Sequence, residues 1–384
     1  MTAKNKEHVE NLLLLSEAKM LRDGGFLSNH DVKAIRSKLH IPRTSENILI
    51  RIGFFLLGCF LYSSIMGAAS IMFLDSIDAY KLILFVFAGI GLAAAEFLTR
   101  NGFHNYGLDD AFILGFQTVL FAAVGVATEQ STAVFTIMAI AGTGCCYRYF
   151  STGSMLFALV GVAGFFASLI TDVKLVSSIF LPFVMAAVAY GLYHLYRVIR
   201  QNSESRLYPN SVRLIKIFSL ILGYLALNYL VVRELSEELM GLQVTRGNDI
   251  PLSYLFYFFT FAVPIFYIYV GARFKDRAFL VVGMLAMAFS IFSIRYYYSI
   301  VPIETALIFG GIILFGISWY SMSALRNREK GLTFKPDRFT DSDSLSMAQA
   351  IIINSAAQVK SDNHDQPMKF GGGGFSGGGA GDSY

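Results

Sequence analysis

The residues able to do chemistry are few, and they stand in apolar surroundings. Glu96, His194, Lys216 and Glu304 are ionisable groups inside long apolar stretches. Burying such a group in hydrocarbon is costly, so each is a candidate either for ion handling or for pairing at an interface. Counted at about 1.5 Å per residue, each falls within a few Å of an expected interface. Long side chains there reach water. No charge is expected at mid-membrane, which argues against a proton- or sodium-coupled carrier. Gln117 and Asn228 are the deeper polar side chains. Such groups line a cavity or hydrogen-bond one helix to another. Pro264 lies in an aromatic run that includes Tyr257. Its missing N–H is expected to kink that helix. A kinked aromatic helix would wall a pocket for a lipid or apolar ligand, or would face lipid. Gln117, Asn228, Pro264 and Tyr257 are therefore the candidate ligand-cavity residues.

Catalytic chemistry has less support. The sequence holds no H-E-x-x-H, no G-x-x-x-x-G-K-[ST] and no pair of deep carboxylates. No catalytic residue is assigned and an enzyme is not expected. Cys59, Cys145 and Cys146 all fall inside apolar stretches and form no C-x-x-C pair, so neither a metal nor a cofactor site is expected. Net charge is only +4, and nucleic acid is not an expected partner.

The elements that must position these residues are helices in lipid. The chain of 384 residues is 55% hydrophobic and 15% charged, against about 25% charged in soluble domains. This predicts an all-α, polytopic transmembrane helical bundle of about ten helices, with short cytoplasmic N- and C-terminal arms. Apolar stretches long enough to cross lie at 52–74, 82–98, 111–127, 131–147, 152–171, 175–196, 214–232, 252–272, 278–294 and 303–324. If the fourth failed to span, every later orientation would flip. Small residues Ala163 and Ala167, and Gly164 with Ser168, offer faces for close packing in the fifth. Paired broken helices, which would point to a transporter site, are not expected, because the prolines of the sixth and eighth stretches have no counterpart in the first and third.

Loop charges orient the bundle. With the N-terminus inside, the inner connections hold Arg100, Arg148, Arg197, Arg200, Arg206, Arg213, Arg273, Lys275 and Arg277. The outer ones hold Lys81, Lys174, Arg233, Arg246 and Arg295. That bias supports ten crossings with both ends in the cytoplasm of a bacterial inner membrane. Arg197–Arg213 is the longest inner polar break. Arg295 and Glu304 are expected to pair at the outer interface, beside an aromatic belt of Tyr296, Tyr297 and Tyr298.

Three regions follow. Residues 1–50 form a helical arm, with one helix from about Lys6 to Arg22 and a second opened by Ser28 and Asp31 as a capping box. No cleavable signal peptide is expected there, so the first membrane helix serves as its own insertion signal. Residues 51–324 form the bundle. Residues 325–384 form a cytoplasmic tail ending in a disordered glycine-rich segment, 371–384. In that segment Phe375 and Tyr384 suit docking on a protein partner, since an aromatic beside a terminal carboxylate is a form that grooves capture.

Two resemblances extend this reading. LLLLSEAKMLRDGGFLSNHDVKAIRSKL, followed by the bundle to about Ala324, resembles a family of bacterial membrane proteins without an assigned activity. It implies an arm joined directly to eight to ten helices and no particular site. GGGGFSGGGAGDSY resembles the glycine-rich ending of bacterial membrane proteins that carry a TPM-type domain. That domain is not found here, so its phosphatase-like or chaperone-like associations are not implied. A docking use for the tail is.

With no site signature in hand, the sequence favours a membrane scaffold or sensor acting through its cytoplasmic arms. The alternative is a transporter or lipid-handling protein with a cavity in the bundle.

Overall fold

A computed structural model describes residues 6–23, 26–39, 47–71, 79–173, 177–240, 250, 252–274 and 276–297, with isolated positions between 308 and 323. The regular structure among them is helical. Residues 12–39 are a compact unit of their own. There α1 (Lys6–Asp23) buries Leu15, Ala18 and Leu21, and α2 (Asn29–Lys38) buries Val32. The expected capping box is present: the Asp31 N–H donates to the Ser28 hydroxyl, and the Ser28 N–H donates to the Asp31 carboxylate at 2.9 Å. That Ser28 hydroxyl, which donates at 2.6 Å, is the main cause holding the Asp31 carboxyl below its ordinary value.

The bundle is built from α3 (Ile48–Ile71), α4 (Ala79–Arg100), α5 (Leu108–Thr128), α6 (Ser131–Tyr149), α7 (Thr152–Thr171), α8 (Leu181–Gln201), α9 (Pro209–Leu227), α10 (Tyr229–Met240), α11 (Ser253–Phe274) and α12 (Arg277–Tyr297). Six of these, α3, α4, α5, α7, α9 and α11, are long and apolar enough to cross a membrane. The chain is thus a multi-pass membrane protein. Neighbours in sequence pack as hairpins, most closely α6 with α7, α4 with α5, α8 with α9 and α11 with α12. Glycine sets the α6–α7 spacing. A Cβ at Gly142 would come within 2.5 Å of the Ala158 N, and Gly161 and Gly164 meet α6 the same way at Ala139 and Phe135. Small-residue packing in α7 was expected, and Gly164 is part of it; Gly161 meets the α6 backbone itself.

The contacts also show which connections share an end. Arg51 at the start of α3 binds Asp110 at the start of α5, and Glu96 near the end of α4 binds Arg148 near the end of α6. Tyr208, between α8 and α9, stacks on Phe150, between α6 and α7, at 4.7 Å. Lys216 on α9 binds Asp276, between α11 and α12. The connections at 101–107, 150–151, 202–208 and 276 therefore form one rim, hereafter the turn rim. The opposite end carries weaker ties, Lys81 to Glu129 at 3.9 Å and Ser131 to Asp172.

The helices depart from the apolar stretches in three places. The sixth stretch, 175–196, becomes an α-helix only from Leu181, after a 3-10 turn at Ser178–Phe180, with Pro182 in its first turn, where a missing N–H costs nothing. The polar break Arg197–Arg213 is mostly helix: α8 runs on to Gln201 and α9 starts at Pro209, so the true connection is a 3-10 turn, Ser203–Leu207. Charged residues end a membrane span without ending its helix. The seventh stretch, 214–232, is interrupted. α9 stops at Leu227, Asn228 is extended (φ −79°, ψ 128°), and α10 restarts at Tyr229. An unpaired broken helix is present where none was expected. Most of the tenth stretch, the tail 325–384, Gly24 and Gly25, and the Arg295–Glu304 pair lie outside the described residues.

Candidate functional site

The break at Asn228 frees backbone groups inside the apolar bundle, roughly 18 Å of helix rise from Lys216. In hydrocarbon each must find a partner. The Tyr229 N–H, at the start of α10, donates to the Thr260 hydroxyl at 2.9 Å. The Val231 N–H donates to Asn228 Oδ1 at 3.3 Å. A second defect lies across from the first. Pro264 sits inside α11 and cannot donate to the Thr260 carbonyl four residues before it. That carbonyl accepts instead from Ser290 Oγ of α12 at 2.5 Å. Thr260 therefore serves both defects, with its hydroxyl toward the broken helix and its carbonyl toward the serine.

The remaining polar groups complete a chain. Asn228 Nδ2 donates to the Tyr224 hydroxyl at 2.8 Å, and Tyr224 and Ser290 hydroxyls lie 2.8 Å apart. With Ser290 donating to Thr260, Tyr224 donates to Ser290, so each hydroxyl gives one proton and accepts one. Ser293 Oγ lies 3.5 Å from both Asn228 amide atoms. Asn228 and Ser290 are fully buried, and Thr260 and Ser293 nearly so. Tyr257 stacks on Tyr229 at 4.0 Å and closes the cluster from α11.

Three of the four expected cavity residues, Asn228, Pro264 and Tyr257, thus meet at one place. The polar groups there form a hydrogen-bonded knot. Thr260, Ser290, Ser293 and Tyr224 were missed. A threonine four residues before an interior proline was the available sign for Thr260; the serines had none, because their partners lie on other helices.

Gln117, the fourth, belongs elsewhere. It is fully buried on α5 and its amide nitrogen donates to the Ile113 carbonyl at 2.7 Å and to Ser154 of α7 at 2.8 Å. Its Oε1 has no hydrogen-bond partner among the described residues. An orphaned buried acceptor costs about 1–3 kcal/mol.

Of the ionisable candidates, Glu96 and Lys216 are paired. Glu96 takes a two-pronged hold from Arg148, with Nη2 at 2.7 Å and Nε at 3.2 Å, and also accepts from Arg100 and the Tyr149 hydroxyl. Lys216 is buried, bound to Asp276, with its ammonium 5.4 Å from the ring centres of Tyr196 and Phe279. His194 is exposed on α8. At the turn rim, burial raises the Tyr208 phenol well above its ordinary value.

Two open spaces adjoin the second half of the bundle. A groove of about 670 Å³ runs along the outward side of α11 over Tyr257, Phe258, Phe261, Phe266 and Tyr269. The aromatic run is therefore divided: Phe256, Pro264 and Tyr267 face inward, while Tyr254, Phe258 and Tyr269 face out. A smaller apolar cavity of about 150 Å³ lies among α7, α8, α9 and α10, lined by residues such as Leu181, Met185, Leu225 and Leu235. Among the described residues, no group of three His, Cys, Asp or Glu stands ready to hold a metal.

No family model, curated protein or solved structure matches this chain.

Proposed function

We propose that this is a scaffold or sensor of a bacterial cytoplasmic membrane, not an enzyme, which crosses ten times and acts through cytoplasmic N- and C-terminal arms. The observation that carries this reading is the closed knot at Asn228. The deepest polar groups of the second half spend their hydrogen bonds on one another, and a solute passing there would have to break that chain first. The turn rim, with its excess of basic residues, is the cytoplasmic side in this reading. The arm's capped helix α2 and the tail aromatics Phe375 and Tyr384 are then the surfaces offered to a protein partner. The test removes them separately. Deleting Gly371–Tyr384, or replacing Phe375 and Tyr384 by alanine, should leave the melting temperature of the bundle unchanged and lose a co-purifying protein. A partner that survives both changes overturns the docking role.

One observation favours a second reading, a transporter or lipid-handling protein. The helix break at Asn228 stands next to the 150 Å³ apolar cavity, and broken helices are where transporters place their sites. An apolar molecule retained in purified protein, and lost on filling the cavity with Ala226→Phe, would move the function there.

A further inference from the structure

The turn rim is unevenly charged. Around α3 to α6 it holds Arg51, Arg100 and Arg148 against Glu96, Asp109 and Asp110, three basic and three acidic residues. These are organised into pairs: Arg51 with Asp110, and Arg100 and Arg148 with Glu96. Asp109 accepts from the backbone N–H groups of Asn105, Tyr106 and Gly107 in the turn before α5. Around α8 to α12 the described residues of the rim include Arg197, Arg200, Arg206, Arg213, Lys216, Arg273 and Arg277 against Glu204 and Asp276. Seven basic less two acidic residues leaves an excess of five.

Of these, the six arginines are exposed. They lie on elements that the structure ties together. Arg197 and Arg200 end α8, Arg206 is in the 3-10 turn, and Arg213 is in the second turn of α9. The Lys216–Asp276 pair holds the α11–α12 turn, with Arg273 and Arg277 on either side, against α9. Lys216 also takes up much of the charge of one of the two carboxylates present.

Beside these arginines the helix surface is also apolar. Leu195 and Val198 on α8, Ile221 on α9 and Phe274 on α11 are exposed, Phe274 by 73%. Exposed guanidinium groups beside exposed apolar side chains match a molecule with an anionic phosphate head and a hydrocarbon tail. Guanidinium forks bind phosphate through two parallel hydrogen bonds, and basic clusters at the ends of membrane helices attract anionic lipid. A soluble anion uses only the first half of that match.

We propose that the α8–α9 and α11–α12 end of the turn rim binds the headgroups of anionic phospholipids, which would anchor this half of the bundle in one leaflet. The proposal rests on the membrane-embedded fold and not on the role of the arms. The test uses the full-length protein in neutral detergent, with phosphatidylglycerol or phosphatidylcholine of the same acyl chains, or inorganic phosphate alone. Lipid retention is read by native mass spectrometry and thermal stability by melting. Phosphatidylglycerol should be retained and should raise the melting temperature, and phosphatidylcholine should do neither. Replacing Arg197, Arg206 and Arg213 together by glutamine should lower phosphatidylglycerol affinity by about fivefold per residue, or roughly a hundredfold in all. Lys81→Gln at the opposite end should leave it unchanged. Because loss of rim charge can disturb insertion, the unmodified protein carries an independent arm: about 1 M salt should release the lipid by screening. Equal retention of both lipids, full retention by the triple variant, or salt-resistant binding would overturn the proposal. Inorganic phosphate matching the whole thermal effect would assign the site to a soluble anion instead.

Discussion

The two halves of the bundle solve the problem of polar groups in opposite ways. In α3 to α7 the polarity is paired at the rim and thin inside. Arginines and carboxylates balance there, and the interior keeps one fully buried amide, Gln117, with an acceptor left over. In α8 to α12 it is closed inside and unbalanced at the rim. Side chains take up backbone groups freed by a helix break and an interior proline, the Thr260 hydroxyl at the first and the Ser290 hydroxyl at the second, while basic residues outnumber acids at the turns. Partners for freed backbone groups are thus found inside the second half at both backbone defects. Rim imbalance leaves it charge to offer to something outside the chain.

The largest expected effect separates the two interiors. Asn228→Leu removes the head of the hydrogen-bond chain and strands the Val231 N–H, so it should lower stability in detergent by about 1–3 kcal/mol. Gln117→Leu loses two donated bonds but also removes an orphaned acceptor, and should cost under about 1 kcal/mol. Equal losses in chemical unfolding of the two variants would erase the distinction between the halves.

A smaller effect separates the two rims. Glu96→Gln weakens its ties to Arg148, Arg100 and Tyr149 and should cost about 1–2 kcal/mol, below the full worth of charged hydrogen bonds because the site is partly exposed. Arg213→Gln, on the unbalanced rim, should stay within about 0.5 kcal/mol in lipid-free detergent. A cost for Arg213→Gln as large as that for Glu96→Gln would show that its charge is used within the fold.

Much of this was legible. The apolar runs of α4, α5 and α7 show their helices because lipid demands a continuous apolar length, and the Ser28–Asp31 capping box can be read from two residues three apart. The break at Asn228 could not be read: apolar residues stand on both sides of it, and Thr260, which takes up the Tyr229 N–H, lies 31 positions beyond Tyr229. The reach of α8 to Gln201 was hidden for a related reason. Hydropathy reports where lipid ends, and a charged helix continues past that point. Gln117 and Asn228 are both fully buried, yet burial alone does not say which helix supplies the partner, and they fell into separate places.

The smallest expected effect concerns the arm. The Asp31 carboxyl is held below its ordinary value of 3.8 chiefly by the Ser28 hydroxyl. A depressed folded value means that its contribution is complete above the ordinary value and is lost as pH falls through the folded one. Amide-exchange protection in the first turn of α2 should therefore drop at acid pH below 3.8, with the bundle unaffected, and Ser28→Ala should remove most of that dependence.

The most direct test of the account is which side of the membrane the turn rim faces. With Cys59, Cys145 and Cys146 replaced by alanine, single cysteines are placed at Glu204 on the turn rim and at Gln130 at the opposite end, both exposed positions. In intact cells a membrane-impermeant thiol reagent should label the Gln130 position and spare the Glu204 position, which should become reactive only once the membrane is opened. Labelling of Glu204 with protection of Gln130 would invert the bundle, and with it the cytoplasmic arms and the lipid-facing arginines.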